Sequence, residues 1–343
     1  MAYTTIKKPT DYFNTKLYTG NGSAGNAITG VGFQSDFTWI KDRDNTRNHV
    51  LTDAVRGVTK VINSNTSDAE GTDTSTLTAF GTDGFTLGNG TKVNGNSINF
   101  ASWNWKANGA GTTNTEGSLD STVSVNTTAG FSIVKWTNGT SSVQTVGHGL
   151  GVAPKMIIMK VLGNTGSWNT YHHSLGNTHA LYLNSTAVAE DNDAQWNDTS
   201  PTSTVFTTGT NGNLVNNTLV AYCFAEKVGY SKFSSYIGNG NTDGAFVYTG
   251  FKPAWIMRKN TDGGVTEDWV MEDDKRNTFN PANEWLAANS TGAEGANNFD
   301  TDFLSNGFKM RSNNDGTNRS GTNYIYMAFA SEPIVGDNPA TAR

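Results

Sequence analysis

"FSSYIGNGNTDGAFVYTGFKPAWIMRK", residues 233 to 259, reads as a strand, a turn rich in Gly and Asn, and a second strand. It decides more than a hairpin, because the chain carries nearly the same stretch twice before. Residues 18 to 41 read "YTGNGSAGNAITGVGFQSDFTWIK", and residues 131 to 160 read "FSIVKWTNGTSSVQTVGHGLGVAPKMIIMK". Each copy moves from an aromatic-bearing segment through a Gly and Asn turn to an apolar run that ends at Lys41, Lys160 or Lys259.

Further landmarks follow in the same order. An Asn, Ser and Thr turn leading to Ala-Glu occurs as "SNTSDAE" (64 to 70), "NSTAVAE" (184 to 190) and "NSTGAE" (289 to 294). A Gly-Phe strand start occurs as "TDGFTL" (82 to 87) and "SNGFKM" (305 to 310), with only "STVFTTG" (203 to 209) in the middle copy. The copies close on "INFASWNWKA" (98 to 107), "LVAYCFAE" (219 to 226) and "YIYMAFAS" (324 to 331), which makes Trp105, Phe224 and Phe329 equivalent. The period is that of a domain, not of a solenoid.

Short runs bounded by Gly, Asn or Asp within each unit indicate an all-β chain of three tandem β-sandwich or jelly-roll-like repeats. The expected units are residues 1–110, 118–228 and 229–333, followed by a tail at 334–343. The alternative is a single pseudo-threefold body in which the three copies pack together. "KMIIMKV" (155 to 161) and "AWIMRK" (254 to 259) read as central strands, whereas "FSIVKW" and "FVYTGF" alternate as half-exposed ones. Residues 284 to 295 are expected to hold a short helix.

Composition agrees with a turn-rich β protein: the 343 residues include 38 Gly and 7 Pro, with 11% aromatic and 16% charged residues. The net charge of -6 and the lack of a basic cluster argue against nucleic-acid binding. The N-terminus lacks the apolar centre of a secretory signal, and no apolar run is long enough to span a bilayer, so no membrane insertion is expected. Synthesis in the cytoplasm follows. Cys223 in "LVAYCFAE" has no partner for a disulfide and reads as a buried strand residue.

Candidates for chemistry are few. His172 and His173 in "TYHHSLG" are adjacent, so on a strand their rings would point to opposite faces and could not grip one metal together. His148 in "VGHGLG" sits between glycines in a turn, a place for a structural hydrogen bond. The carboxylates of "DRD" (42 to 44), "EDND" (190 to 193) and "EDD" (272 to 274) raise a glycosidase pair or a calcium site, but no calcium-loop spacing is present. The Gly-x-Gly triplets, as at 20 to 22 and 238 to 240, belong to turns. Trp105 and Trp255 lie in apolar strands and are expected in the core, whereas Trp168 and Trp196 lie near polar segments and are expected on an exposed platform able to stack a sugar. The candidate binding residues are thus Trp168, His172, His173 and Trp196; no catalytic or metal-binding residue is assigned.

The segments "DYFNTKLYTGNG", "GFQSDFTWIKDR", "VGHGLGVAPKMIIMK", "AYCFAEKVGYSKFSSYIGNGNTDGAFVYTGFKPAWIM", "DFLSNGFKMR" and "YIYMAFASEP", with the ending "PATAR", together resemble a family of structural proteins of marine tailed bacteriophages, including cyanophages and pelagiphages. The resemblance covers nearly the whole chain and carries no catalytic residues. It implies a non-enzymatic protein on the external surface of the virion, of tail fibre, spike or appendage type. Its expected partners are other phage structural proteins of the tail or capsid, further copies of itself, and host surface glycans. A capsid decoration protein is the alternative within the same class, and a glycan-binding or glycan-degrading protein is the alternative outside it.

Overall fold

The computed structural model describes residues 4–139, 143–262, 264 and 266–340. Their architecture is all-β and sandwich-like, built from short antiparallel strands. Among the described residues helix is confined to three four-residue turns, Thr91–Asn94, Asp193–Trp196 and Asp315–Asn318, and to the 3-10 turn Pro9–Asp11. None of these is long and apolar enough to cross a membrane.

One pairing order occurs three times. The opening strand of each segment pairs with its closing strand, which pairs with the apolar run, which pairs with a short fourth strand. In the first segment these are Phe13–Thr19, Asn99–Trp105, Phe37–Asp42 and Val50–Asp53. In the second they are Phe131–Thr137, Thr218–Phe224, Met156–Val161 and Asn169–His172. In the third they are Ser231–Ile237, Asn323–Pro333, Phe251–Asn260 and Val270–Asp273. A second layer covers each set: Asn26–Thr29 on Gly84–Leu87, Gln144–Gly147 on Val205–Thr208, and Phe246–Tyr248 on Gly307–Met310.

The apolar runs are continuous because they are buried on both faces. All six residues of Phe37–Asp42 are buried: Phe37 and Trp39 face a core shared by the three segments, and Ile40 faces a smaller core within the first. The other segments have inner cores of their own, around Trp136 and Phe206 in the second and around Ile256 and Phe308 in the third. The shared core is aromatic. Its centre is a triangle of Trp105, Phe224 and Phe329, with ring centroids 6.3, 6.0 and 5.7 Å apart. Those residues occupy the same register, opposite Phe37, Met156 and Trp255. Burying such rings removes water from about 150–250 Å² each, so this cluster dominates the apolar stabilisation.

Two local expectations change. Residues 284 to 295 do not form a helix: Ala282–Ala287 and Gly295–Leu304 are strands, because Val270 and Met271 pair with Ala287 and Leu286 and tertiary pairing overrides local propensity. "FSIVKW" is buried on both faces, not half-exposed: Phe131 and Ile133 face the shared core and Val134 and Trp136 the second segment's inner core, with only Lys135 partly exposed. The apolar segments "KMIIMKV" and "AWIMRK" each have a neighbour on both sides.

Candidate functional site

Where the segments meet, backbone bonds recur at each junction. The Glu70 N–H donates to the Leu162 carbonyl at 2.9 Å, Ala189 to Thr261 at 3.1 Å, and Glu294 to Arg43 at 2.8 Å. Opposite bonds come from the residue before each short fourth strand. Trp168 Nε1–H donates to the Asn63 carbonyl at 2.9 Å, Trp269 Nε1–H to Tyr182 at 3.1 Å, and His49 Nε2–H to Ala287 at 3.0 Å. Three turn asparagines accept the backbone N–H of the same residues: Asn65 from His49, Asn184 from Trp168, and Asn289 from Trp269. Counting from these asparagines places Ala189 level with Glu70 and Glu294. The Ala-Glu match of the middle turn is therefore displaced by one residue, because the asparagine cap sets the register and Glu190 falls one position later.

The end of each fourth strand carries a residue that caps the following turn and reaches into the next segment. Asp53 Oδ1 accepts the Arg56 N–H at 2.9 Å while Oδ2 accepts the Tyr222 hydroxyl at 2.7 Å. Asp273 does the same for the Arg276 N–H at 2.8 Å and for Trp103 Nε1–H at 3.1 Å. In the second segment the residue is His172, whose Nδ1 accepts the Ser174 N–H at 3.2 Å and whose Nε2–H donates to the Tyr326 carbonyl at 3.3 Å. Burial holds its imidazole well below the ordinary histidine value, at about 3.

Side chains then divide the junctions into two kinds. Arg56 is wholly buried between Asp53 (2.5 Å) and Glu70 (3.1 Å), and Arg276 between Asp273 (2.6 Å) and Glu294 (3.1 Å). Arg43 adds a second guanidinium on Glu294, at 2.7 Å. At the junction of the second and third segments the matching positions are Leu175, Ala189 and Thr261, and a groove of about 450 Å³ opens against all three. A groove of about 500 Å³ beside Val55, Lys135, Trp136 and Thr218 marks the junction of the first and second segments, but Arg56 and Glu70 do not line it.

Three buried lysines, Lys41, Lys160 and Lys259, terminate the apolar runs. Lys160 Nζ donates to Ser67, Val161 and Gly166 carbonyls, and Lys259 Nζ to the Thr186 carbonyl and Asn260 Oδ1. Lys41 Nζ donates to the Asp42 and Asn45 carbonyls. Burial lowers each ammonium to about 8. Lys160 and Lys259 thereby reach the preceding segment, whereas Lys41 bonds within its own; in the sequence these lysines are only landmarks, and a charge closing an apolar run three times was the signal that they are buried.

Trp168 and Trp196 do not form an exposed platform: they are 0% and 1% exposed. Trp168 belongs to the shared core, and Trp196 packs edge-on against Tyr171 at 5.8 Å in the second segment's inner core. Polar neighbours in sequence misled, because they face water while the rings face inward. Among the described residues the exposed large rings are Phe246 and Tyr248, in the segment "FVYTGF" read as half-exposed, and Phe279. His172 and His173 do not point to opposite faces. The strand ends at His172, and the two rings lie 5.3 Å apart with both Nε2 atoms on carbonyls of the third segment, Tyr326 and Phe233. His148 is buried, with Nδ1 accepting the Leu150 N–H and Nε2 facing the Thr202 carbonyl.

The acidic clusters are engaged in local structure. Asp42 caps the Asp44 and Asn45 N–H groups and pairs with Arg47, Glu272 pairs with Arg258, and Glu190 accepts the Tyr182 hydroxyl. Among the described residues no group of three His, Cys, Asp or Glu side chains is placed to hold a metal ion. Cys223 is buried, which pushes its thiol well above the usual range.

Residues 8–333 match the family described as "Domain of unknown function (DUF7483)", and the chain belongs to that family. No curated protein and no solved structure matches it.

Proposed function

We propose that this chain is a non-enzymatic structural component on the exterior of a tailed-phage particle, of tail fibre, spike or appendage type. The observation that carries the structural half of this reading is the shared aromatic core, closed at every junction by directional hydrogen bonds. Such a body resists deformation, since its segments cannot separate without exposing the core and orphaning buried donors. His49, His148 and His172 support the same reading, each having both ring nitrogens committed to structural partners. The particle half rests on the resemblance of the motif string to marine phage structural proteins.

Immunogold labelling of purified particles with an antibody against the chain tests it. Label at the tail is the expected result. Label spread over the capsid would replace the appendage role with decoration, and particles without label would overturn the proposal.

A further inference from the structure

We infer that the groove between the second and third segments is a binding site for a neutral, hydroxylated ring, the chemistry of one sugar unit of a glycan. The argument starts from the three junctions. In two of them a buried guanidinium is held between carboxylates beside the fourth strand. In the third, all of these charges are gone at once: Asp is replaced by His172, Arg by Leu175 and Glu by Ala189. A groove of about 450 Å³ lies directly against Leu175, Ala189 and Thr261, inside the size range of small-molecule sites.

Its walls select the chemistry. A cation finds neither carboxylate that holds Arg56 or Arg276, and the Asp262 carboxylate on the wall, which accepts from the Asn323 N–H at 2.9 Å and from its side-chain amide, keeps lone pairs for a ligand hydroxyl. An anion meets no Lys or Arg, since none lines the groove. A wholly apolar ligand would bury groups that need hydrogen bonds. Ser235 on the third segment makes no side-chain hydrogen bond within the described residues, and the Ser174 hydroxyl has only a 3.5 Å contact with His173. Leu175, Ala189 and Ile325 supply an apolar side. Ser235 is the cross-strand partner of Ile325, and Ser174 precedes Leu175, so hydroxyls and apolar groups alternate along the groove and match a sugar ring, which has polar edges and a C–H face. Trp168 and Trp196 play no part in this site, which stands independently of where the chain sits on a particle.

The test is calorimetric and saturation-transfer NMR titration of the purified chain with glucose, galactose and N-acetylglucosamine, each as free sugar and as a trisaccharide. Saturable binding at about millimolar affinity is expected for at least one, tighter for the trisaccharide if the natural source is a glycan and equal for both if it is a free sugar. The double variant Leu175→Arg with Ala189→Glu puts bulk and charge on two lining positions and should abolish binding. Ser235→Ala should weaken it about threefold to tenfold, the loss of one hydrogen bond. If the double variant fails to fold, judged by near-ultraviolet circular dichroism, Ser235→Leu at an exposed strand position provides the block. No saturable binding of any of these sugars by the native chain, or unchanged binding in a folded blocked variant, would overturn the inference.

Discussion

The junction of the first and second segments and that of the second and third use equivalent strands and backbone bonds, yet one carries the buried ion pairs of Arg56 with Asp53 and Glu70 while the other has Leu175 and Ala189 at those positions, with a groove against them. The difference teaches which interactions are required for closure. Backbone bonds and the shared aromatic core are present at both, so the buried ion pairs are additions to a joint that closes without them. This agrees with the general behaviour of buried charge pairs, whose mutual attraction is offset by the cost of removing both from water.

The largest expected effect comes from breaking the charged joint. Arg56→Met strands Asp53 and Glu70 and should cost about 3–5 kcal/mol, whereas Leu175→Ala at the other joint should cost no more than about 2 kcal/mol. Urea unfolding followed by tryptophan fluorescence separates the two; equal losses would dissolve the distinction between the junctions.

Acid comes next. Burial holds His49 and His172 at about 3 in the folded chain, against 6.5 when unfolded. The unfolded state binds more protons between those values, so stability is fully present above pH 6.5 and is lost as pH falls towards 3. By pH 4 each should have cost about 3 kcal/mol. His172→Gln keeps a neutral hydrogen-bonding group at the joint beside Leu175 and should flatten the decline; an unaltered slope in pH-dependent unfolding would contradict the assignment.

A smaller change is expected from the lysines. Lys160→Met removes the ammonium donor from the Gly166 carbonyl, while the Ser67 carbonyl keeps the Gly166 N–H at 2.8 Å, and should destabilise by about 1–3 kcal/mol at pH 7. Between about pH 8 and 10.5 the unfolded chain binds more protons than the folded one, so the native protein should gain stability as pH rises through that window. Unfolding titrations at pH 7 and 9.5 should show that gain reduced in the variant. The smallest effect, about 1 kcal/mol each, is expected from Asn65→Ala, Asn184→Ala and Asn289→Ala. Thermal melts giving three similar losses would show that the caps are indifferent to what fills the junction, and one markedly larger loss would show that they are not.

Much of the fold was legible in the chain because its signals are local. Gly and Asn mark turns, apolar runs mark strands buried on both faces, and the order of landmarks recurs. The candidate site was far less legible. Leu175 and Ala189 are ordinary residues in sequence, and they acquire meaning only opposite Arg56 with Glu70 and Arg276 with Glu294. The one-residue displacement of the middle turn hid that comparison until the capping asparagines set the register. Trp168 and Trp196 failed as surface candidates for a related reason: neighbours along the chain describe a loop's polarity, but the direction of one ring depends on packing partners far away in sequence.

By itself, then, the sequence determined an all-β chain of short strands and turns, since strand and turn preferences are set by a few adjacent residues. Only the tertiary structure decided that Trp105, Phe224 and Phe329 meet in one core, that three lysines are buried, and that one junction carries Leu175 and Ala189 where the others carry ion pairs. Those outcomes depend on contacts between residues about a hundred positions apart, where burial and hydrogen-bond satisfaction, not local preference, set the energy.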